Sequence, residues 1–114
     1  MPRPRRRGRG RRLAGGIVEM VVGIGRMIFR LHACRSLKEK RRVVKSIISR
    51  VRNNFNASVA EVSDNDLHHR AVIGFCLIGN DPGLINSKID KIFNLADDLG
   101  LAEMTDTDME IITL

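Results

Sequence analysis

Two hydrophobic periods alternate along the chain. From Val21 to Leu31, the apolar Met27, Phe29 and Leu31 interleave with Arg26, Ile28 and Arg30, the period-two pattern of a strand with one apolar and one mixed face. From Arg35 to Phe55 the period lengthens. Leu37, Val44, Ile48, Val51 and Phe55, flanked by Ile47, share one stripe at about 100° per residue, which predicts an amphipathic helix. Ser36 followed three residues later by Glu39 has the spacing of a capping box, and Asn53, Asn54 and Asn56 mark the far end. Ala57–Val62 and Arg70–Ile78 predict two further strands. The turn cluster Ser63-Asp64-Asn65-Asp66 between them predicts a hairpin. Arg70–Ile78 is the most apolar strand, so a central position is expected for it.

Asp81 suits the N-cap of a second helix and Pro82 its first position. Leu84, Ile85, Ile89, Ile92, Phe93, Ala96 and Leu99 form that helix's apolar face, and Gly100 supplies a left-handed end. Met104–Leu114 is the last strand, with Thr107, Met109, Ile111 and Thr113 on one side and Asp108, Glu110 and Ile112 on the other. The order β-α-β-β-α-β predicts an α+β, ferredoxin-like fold: a four-stranded antiparallel sheet with two helices on one face. The other face is left open, with Arg26 and Arg30 looking out from it. Gly23-Ile24-Gly25 is not a dinucleotide fingerprint, because Ile28 fills the third glycine position and the strand continues where a helix would open.

Composition narrows the function classes. A length of 114 residues fits one domain. With no Trp, no Tyr and four Phe, the aromatics are needed in the core, which argues against the base-stacking sheet of an RNA-recognition motif. Two cysteines without paired spacing, and no apolar signal or membrane-spanning run, point to a reduced, cytoplasmic setting and no membrane partner. Residues 1–19 are rich in Arg and Gly and are expected to be a disordered arm. The arm is read either as a basic tail for nucleic acid or as sequence ahead of a true start at Met20. For a bacterial source, Gly15-Gly16 could be encoded by a ribosome-binding sequence a short way upstream of the Met20 codon, which favours the second. Residues 20–114 then form a single ferredoxin-like domain.

Placing the charge changes the picture more than its total of +7. Residues 20–52 carry ten basic side chains and one acidic, whereas residues 53–114 carry three basic and eleven acidic. The domain is therefore dipolar, and its positive pole is the first helix. Lys38, Arg42, Lys45, Ser49 and Arg52 form a stripe facing away from the apolar one. Lys38, Lys40, Arg41 and Arg42 crowd the first two turns, where cations oppose the positive end of the helix dipole. Two readings account for them: an external anion such as phosphate, or no ligand at all, the charges being paired internally, for example with Asp97, Asp98 or Glu103 in the acidic half, or simply solvated.

The segments RSLKEKRRVVKS, SVAEV, RAV-x-G and GND resemble the YlxP-like family of small bacterial proteins of unknown function. The match runs from about Val21 to Ile112, and RSLKEKR is its most specific part. The resemblance implies a ferredoxin-like fold, a cytoplasmic protein, and a gene neighbourhood of translation-initiation and ribosome-maturation factors. It supplies no catalytic residue. The chain departs from the family pattern in its arm before Met20, in a first loop one residue short, and in His68-His69.

Other candidate chemistry is sparse. Asp64, Asp66, His68 and His69 match no structural zinc spacing and read as solvated turn residues, with metal binding across a dimer as the alternative. Cys34, near His32, Arg35 and a helix start, has surroundings that lower a thiol pKa, but no third residue completes a catalytic set. No catalytic, cofactor or metal residue is assigned, and the protein is expected not to be an enzyme. The leading expectation is a non-enzymatic RNA- or ribosome-associated protein acting in ribosome maturation or translation. Its phosphate contacts would be Arg35, Lys38, Arg41, Arg42, Lys45 and Arg52. The alternative is a small homodimeric module that docks a protein or ligand on its open sheet face.

Overall fold

Strand pairing follows the period-two segments. The computed structural model describes residues 11–13 and 16–114. Two short strands, β1 (Arg11–Leu13) and β2 (Gly16–Val18), pair antiparallel with each other and contact no other described element. This ladder stands where an unstructured arm was expected. The rest of that arm, residues 1–10 and 14–15, lies outside the described residues. The domain proper runs β3 (Val21–Arg30), α1 (Leu37–Asn54), β4 (Ser58–Ser63), β5 (Arg70–Gly79), α2 (Pro82–Asp98) and β6 (Glu103–Thr113).

The sheet order is β4-β5-β3-β6, with every neighbouring pair antiparallel. Each helix thus links two strands that are separated by a third, the split βαβ arrangement of a ferredoxin-like fold. The apolar β5 is central, as its composition predicts. Both helices pack on one face of the sheet. Met27, Phe29, Ile73, Ile47, Ile89 and Ile92 are almost fully buried between the layers. Asp81 caps α2 by accepting from the Gly83 and Leu84 amides at 2.9 and 3.4 Å, and Gly100 follows the helix at φ +66°, both as expected.

The glycines that mimic a dinucleotide motif are packing devices. A Cβ on Gly23 would lie 2.5 Å from Ile85 Cγ2 and 2.9 Å from Ile89 Cδ1, so α2 approaches β3 closely through this position. A Cβ on Gly25 would collide with the ring of Phe75, its direct cross-strand partner; that ring covers the glycine and meets Phe93 edge-on at 5.6 Å. Gly23→Ala and Gly25→Ala are therefore expected to cost about 1–3 kcal/mol each through overpacking, read as a lower midpoint in urea. A neutral result at both would show that the helix layer is loosely seated.

At its start the domain closes on its own end. The Met20 amide donates to Leu114 O at 3.0 Å and the Leu114 amide to Met20 O at 2.8 Å. A chain beginning at Met20 keeps this pair and every core residue, so its thermal unfolding should coincide with that of the full chain. A marked loss of Tm on truncation would make the preceding residues part of the fold.

Candidate nucleic-acid interface

The interface is built on α1. Ser36 sits in extended conformation before the helix, and its Oγ accepts from the Glu39 amide at 3.2 Å. The Glu39 carboxylate reaches back to the Arg35 amide at 2.7 Å, closing the capping box one residue earlier than Ser36 itself. Val44, Ile47 and Val51 are buried against the sheet and α2, with Val43, Ile48 and Phe55 packed at the margins.

Lys40 belongs to this inner stripe and not to the surface. It is fully buried. Its Nζ donates to Asp64 O at 2.5 Å and lies 2.7 Å from Glu61 Oε2 in an ion pair. That carboxylate oxygen makes no hydrogen bond of good geometry, so the contact is chiefly Coulombic. Asp64 O also accepts from the Leu67 amide at 3.1 Å, and the Asp64 carboxylate pairs with Arg70. Lys40 therefore pins the β4–β5 turn, where Asp64 has φ +59°, to the first turn of α1. One of the four crowded cations is thus offset from inside, by Glu61 rather than by Asp97, Asp98 or Glu103. The signal for this was present in sequence: Lys40, Val44, Ile47 and Val51 follow helical steps of four, three and four, which places Lys40 on the apolar stripe.

The remaining cations divide by partner. Arg52 donates from Nη2 to Val59 O at 2.9 Å and so helps hold α1 on β4. Arg35, Lys38, Arg41, Arg42 and Lys45 are exposed. Among the described residues, none of the five side-chain charges has a carboxylate oxygen within 4.0 Å. Glu103, one of the expected internal partners, pairs with His32 at 2.5 Å instead. Lys38–Arg42 and Arg41–Lys45 are like-charged pairs at i,i+4, each costing a few tenths of a kcal/mol in an exposed helix.

Negative charge gathers on the opposite side of the molecule. Asp106, Asp108 and Glu110 of edge strand β6 lie opposite Ile28, Arg26 and Ile24, on the open sheet face. The Arg26 guanidinium hydrogen-bonds Asp108 and, with its charge, holds that carboxyl below the usual carboxylate range. The same face carries a groove of about 520 Å³ lined by Ile24, Ala60, Val62, Val72, Gly74 and Cys76.

At two smaller candidates the surroundings of single groups differ from those read in the sequence: the Cys34 thiol and the Asp64 carboxylate. Burial pushes the Cys34 thiol up, Glu39 adds to the rise, and Lys40 opposes it, so the site does not activate a thiolate. Asp64 is engaged by Arg70, and the described residues contain no group of three or more side chains placed to hold a metal ion. No helix among them is long and apolar enough to cross a membrane.

The sequence profile of the family described as "Protein of unknown function (DUF503)" matches residues 22–109. The chain belongs to this family. A relative, "Uncharacterized protein YlxP" of Bacillus subtilis (strain 168), is 32% identical over 75 residues, spanning 66% of this chain and 82% of the relative. Among solved structures, the "De novo designed protein Foldit4" superposes with a TM-score of 0.44 at 18% identity, covering 85% of this chain and 97% of that one. The resemblance read from RSLKEKR and the segments after it is borne out. In this DUF503 chain the stretch does two jobs at once. Ser36, Glu39 and Lys40 cap and anchor the helix, while Arg35, Lys38 and Arg41 face solvent.

Proposed function

We propose that the protein is a non-enzymatic RNA- or ribosome-binding protein of the bacterial cytoplasm, acting in ribosome maturation or translation. The outer face of α1 contacts phosphates through Arg35, Lys38, Arg41, Arg42 and Lys45. The observation that carries this reading is the set of exposed cations without acidic partners among the described residues. Like charges are kept at adjacent turns of one helix, while the acidic row Asp106, Asp108 and Glu110 lies on the far side of the sheet. Such a face attracts a polyanion, and the acidic β6 row repels it, so only one docking orientation is favoured. Phosphate contacts position a protein without reading sequence, so the target is recognised by shape. The free thiols of Cys34 and Cys76 fit a reducing compartment. A tagged full chain should sediment with ribosomal subunits through a sucrose gradient and move to the top fractions at high salt. Remaining at the top at low salt would count against the reading.

The groove on the open face favours a second reading, a homodimeric or ligand-docking module. Exposed Ile24, Val62 and Ile78 lie on that face, the kind of apolar surface that partners cover. Analytical ultracentrifugation separates the two readings: a strict monomer at high concentration removes the self-association form of this second one.

A further inference from the structure

We propose that the tip of the β4–β5 hairpin is a second contact of the same RNA, taking unpaired bases while α1 takes phosphates. The inference rests on the RNA-binding reading and names its substrate class: a structured stem with an adjoining single-stranded tail. Three observations carry it. Lys40 fixes the turn to the first turn of α1 through Asp64 O at 2.5 Å, and the Leu31 amide fixes the other side of the tip through His69 O at 2.9 Å. The tip is therefore held at the same end of the molecule as the exposed helix start. His68 and His69 are both exposed, and their rings meet edge-on with centroids 5.6 Å apart at an interplanar angle of 79°. Edge-on packing leaves ring faces open, and Leu67 adds an exposed apolar surface beside them.

Splayed-out bases stack on histidine as on other aromatic rings. The tip is a poor phosphate site, because Asp66 is exposed in the same turn and Asp64 is engaged by Arg70. What the tip offers a nucleic acid is ring faces rather than charge. The neighbouring helix offers charge without aromatic rings among its exposed side chains. Together they match a junction where a duplex backbone gives way to unstacked nucleotides. The sheet, which lacks exposed Phe, plays no part.

The test measures fluorescence anisotropy of the full chain with two RNA probes, a blunt-ended stem-loop and the same stem-loop with a short pyrimidine tail. Wild type should bind the tailed probe about tenfold more tightly, the scale of one well-stacked base. The double variant His68→Ala/His69→Ala should bind both probes with the blunt-probe affinity, and its thermal unfolding should match wild type. His68→Phe/His69→Phe should keep the preference, since stacking needs a ring and not an imidazole. A wild type that binds the blunt probe in a salt-dependent way but shows no preference overturns the hairpin-tip contact and leaves the α1 reading standing. A preference that survives in the alanine variant, or is lost in the phenylalanine variant, also overturns it. Binding of neither probe at low salt removes the α1 reading and this inference together.

Discussion

Lys40→Met is expected to lower the unfolding free energy by about 3–5 kcal/mol, the usual cost of removing one partner from a buried ion pair. The ammonium is fully buried, and the Glu61 side chain keeps only 15% of its surface exposed. Methionine fills most of the lysine's volume but leaves the carboxylate without its counter-charge and releases the β4–β5 turn from α1. Adding Glu61→Leu should recover much of the loss, because an apolar pair of similar volume often replaces a buried ion pair at little cost. Lys38→Met, on the exposed side of the same turn, should change stability by no more than about 0.5 kcal/mol. Urea denaturation of the four proteins reads all of this. Equal midpoints for the Lys40 and Lys38 variants would mean that the buried pair holds nothing together.

The second large effect is on binding. Changing Lys38, Arg41, Arg42 and Lys45 to Glu should sharply weaken binding to structured RNA, leaving a residual affinity measurable at low salt, while the fold stays intact. The four positions are exposed and make no ion pair among the described residues, so the change removes no internal contact. Repulsion between i,i+4 neighbours is of the same kind before and after. Acidic residues near a helix N-terminus are favoured by the dipole where basic ones are opposed, so the variant's Tm should not fall. Arg52 is left unchanged in this variant because it donates to Val59 O. The loss should be uniform across RNA sequences, since phosphate contacts carry no sequence information. Reversing Lys88 and Lys91 on α2 is the control and should matter much less, because acidic Asp90, Asp97 and Asp98 share that helix.

The architecture was legible because each element carries its own period and its own ends. Ser36, Asp81 and Gly100 place three helix termini correctly from residue type alone, and the run Arg70–Ile78 declares a central strand. The interface was only half legible. Charge along α1 reads directly from sequence, but a cation's partner depends on strand register. Lys40 meets Glu61 because α1 crosses β4, and Arg52 meets a backbone carbonyl that no sequence pattern marks. Cys34 shows the same limit: a nearby helix start and arginine predict a lowered thiol pKa, whereas desolvation, set by tertiary packing, raises it. The acidic face of β6 was visible as an alternation, but its position across the sheet from α1 required the topology.

The most direct test of the account is a salt titration of RNA binding by wild type and by the variant reversed at Lys38, Arg41, Arg42 and Lys45. If these four side chains contact phosphates, the logarithm of the wild-type binding constant should fall against the logarithm of salt concentration with a slope of about −3 from them alone, at roughly 0.7–0.9 per contact. The variant's slope should be shallower by that amount. Equal slopes in the two proteins, or no wild-type binding at low salt, would contradict it and leave the basic face of α1 a solvated surface.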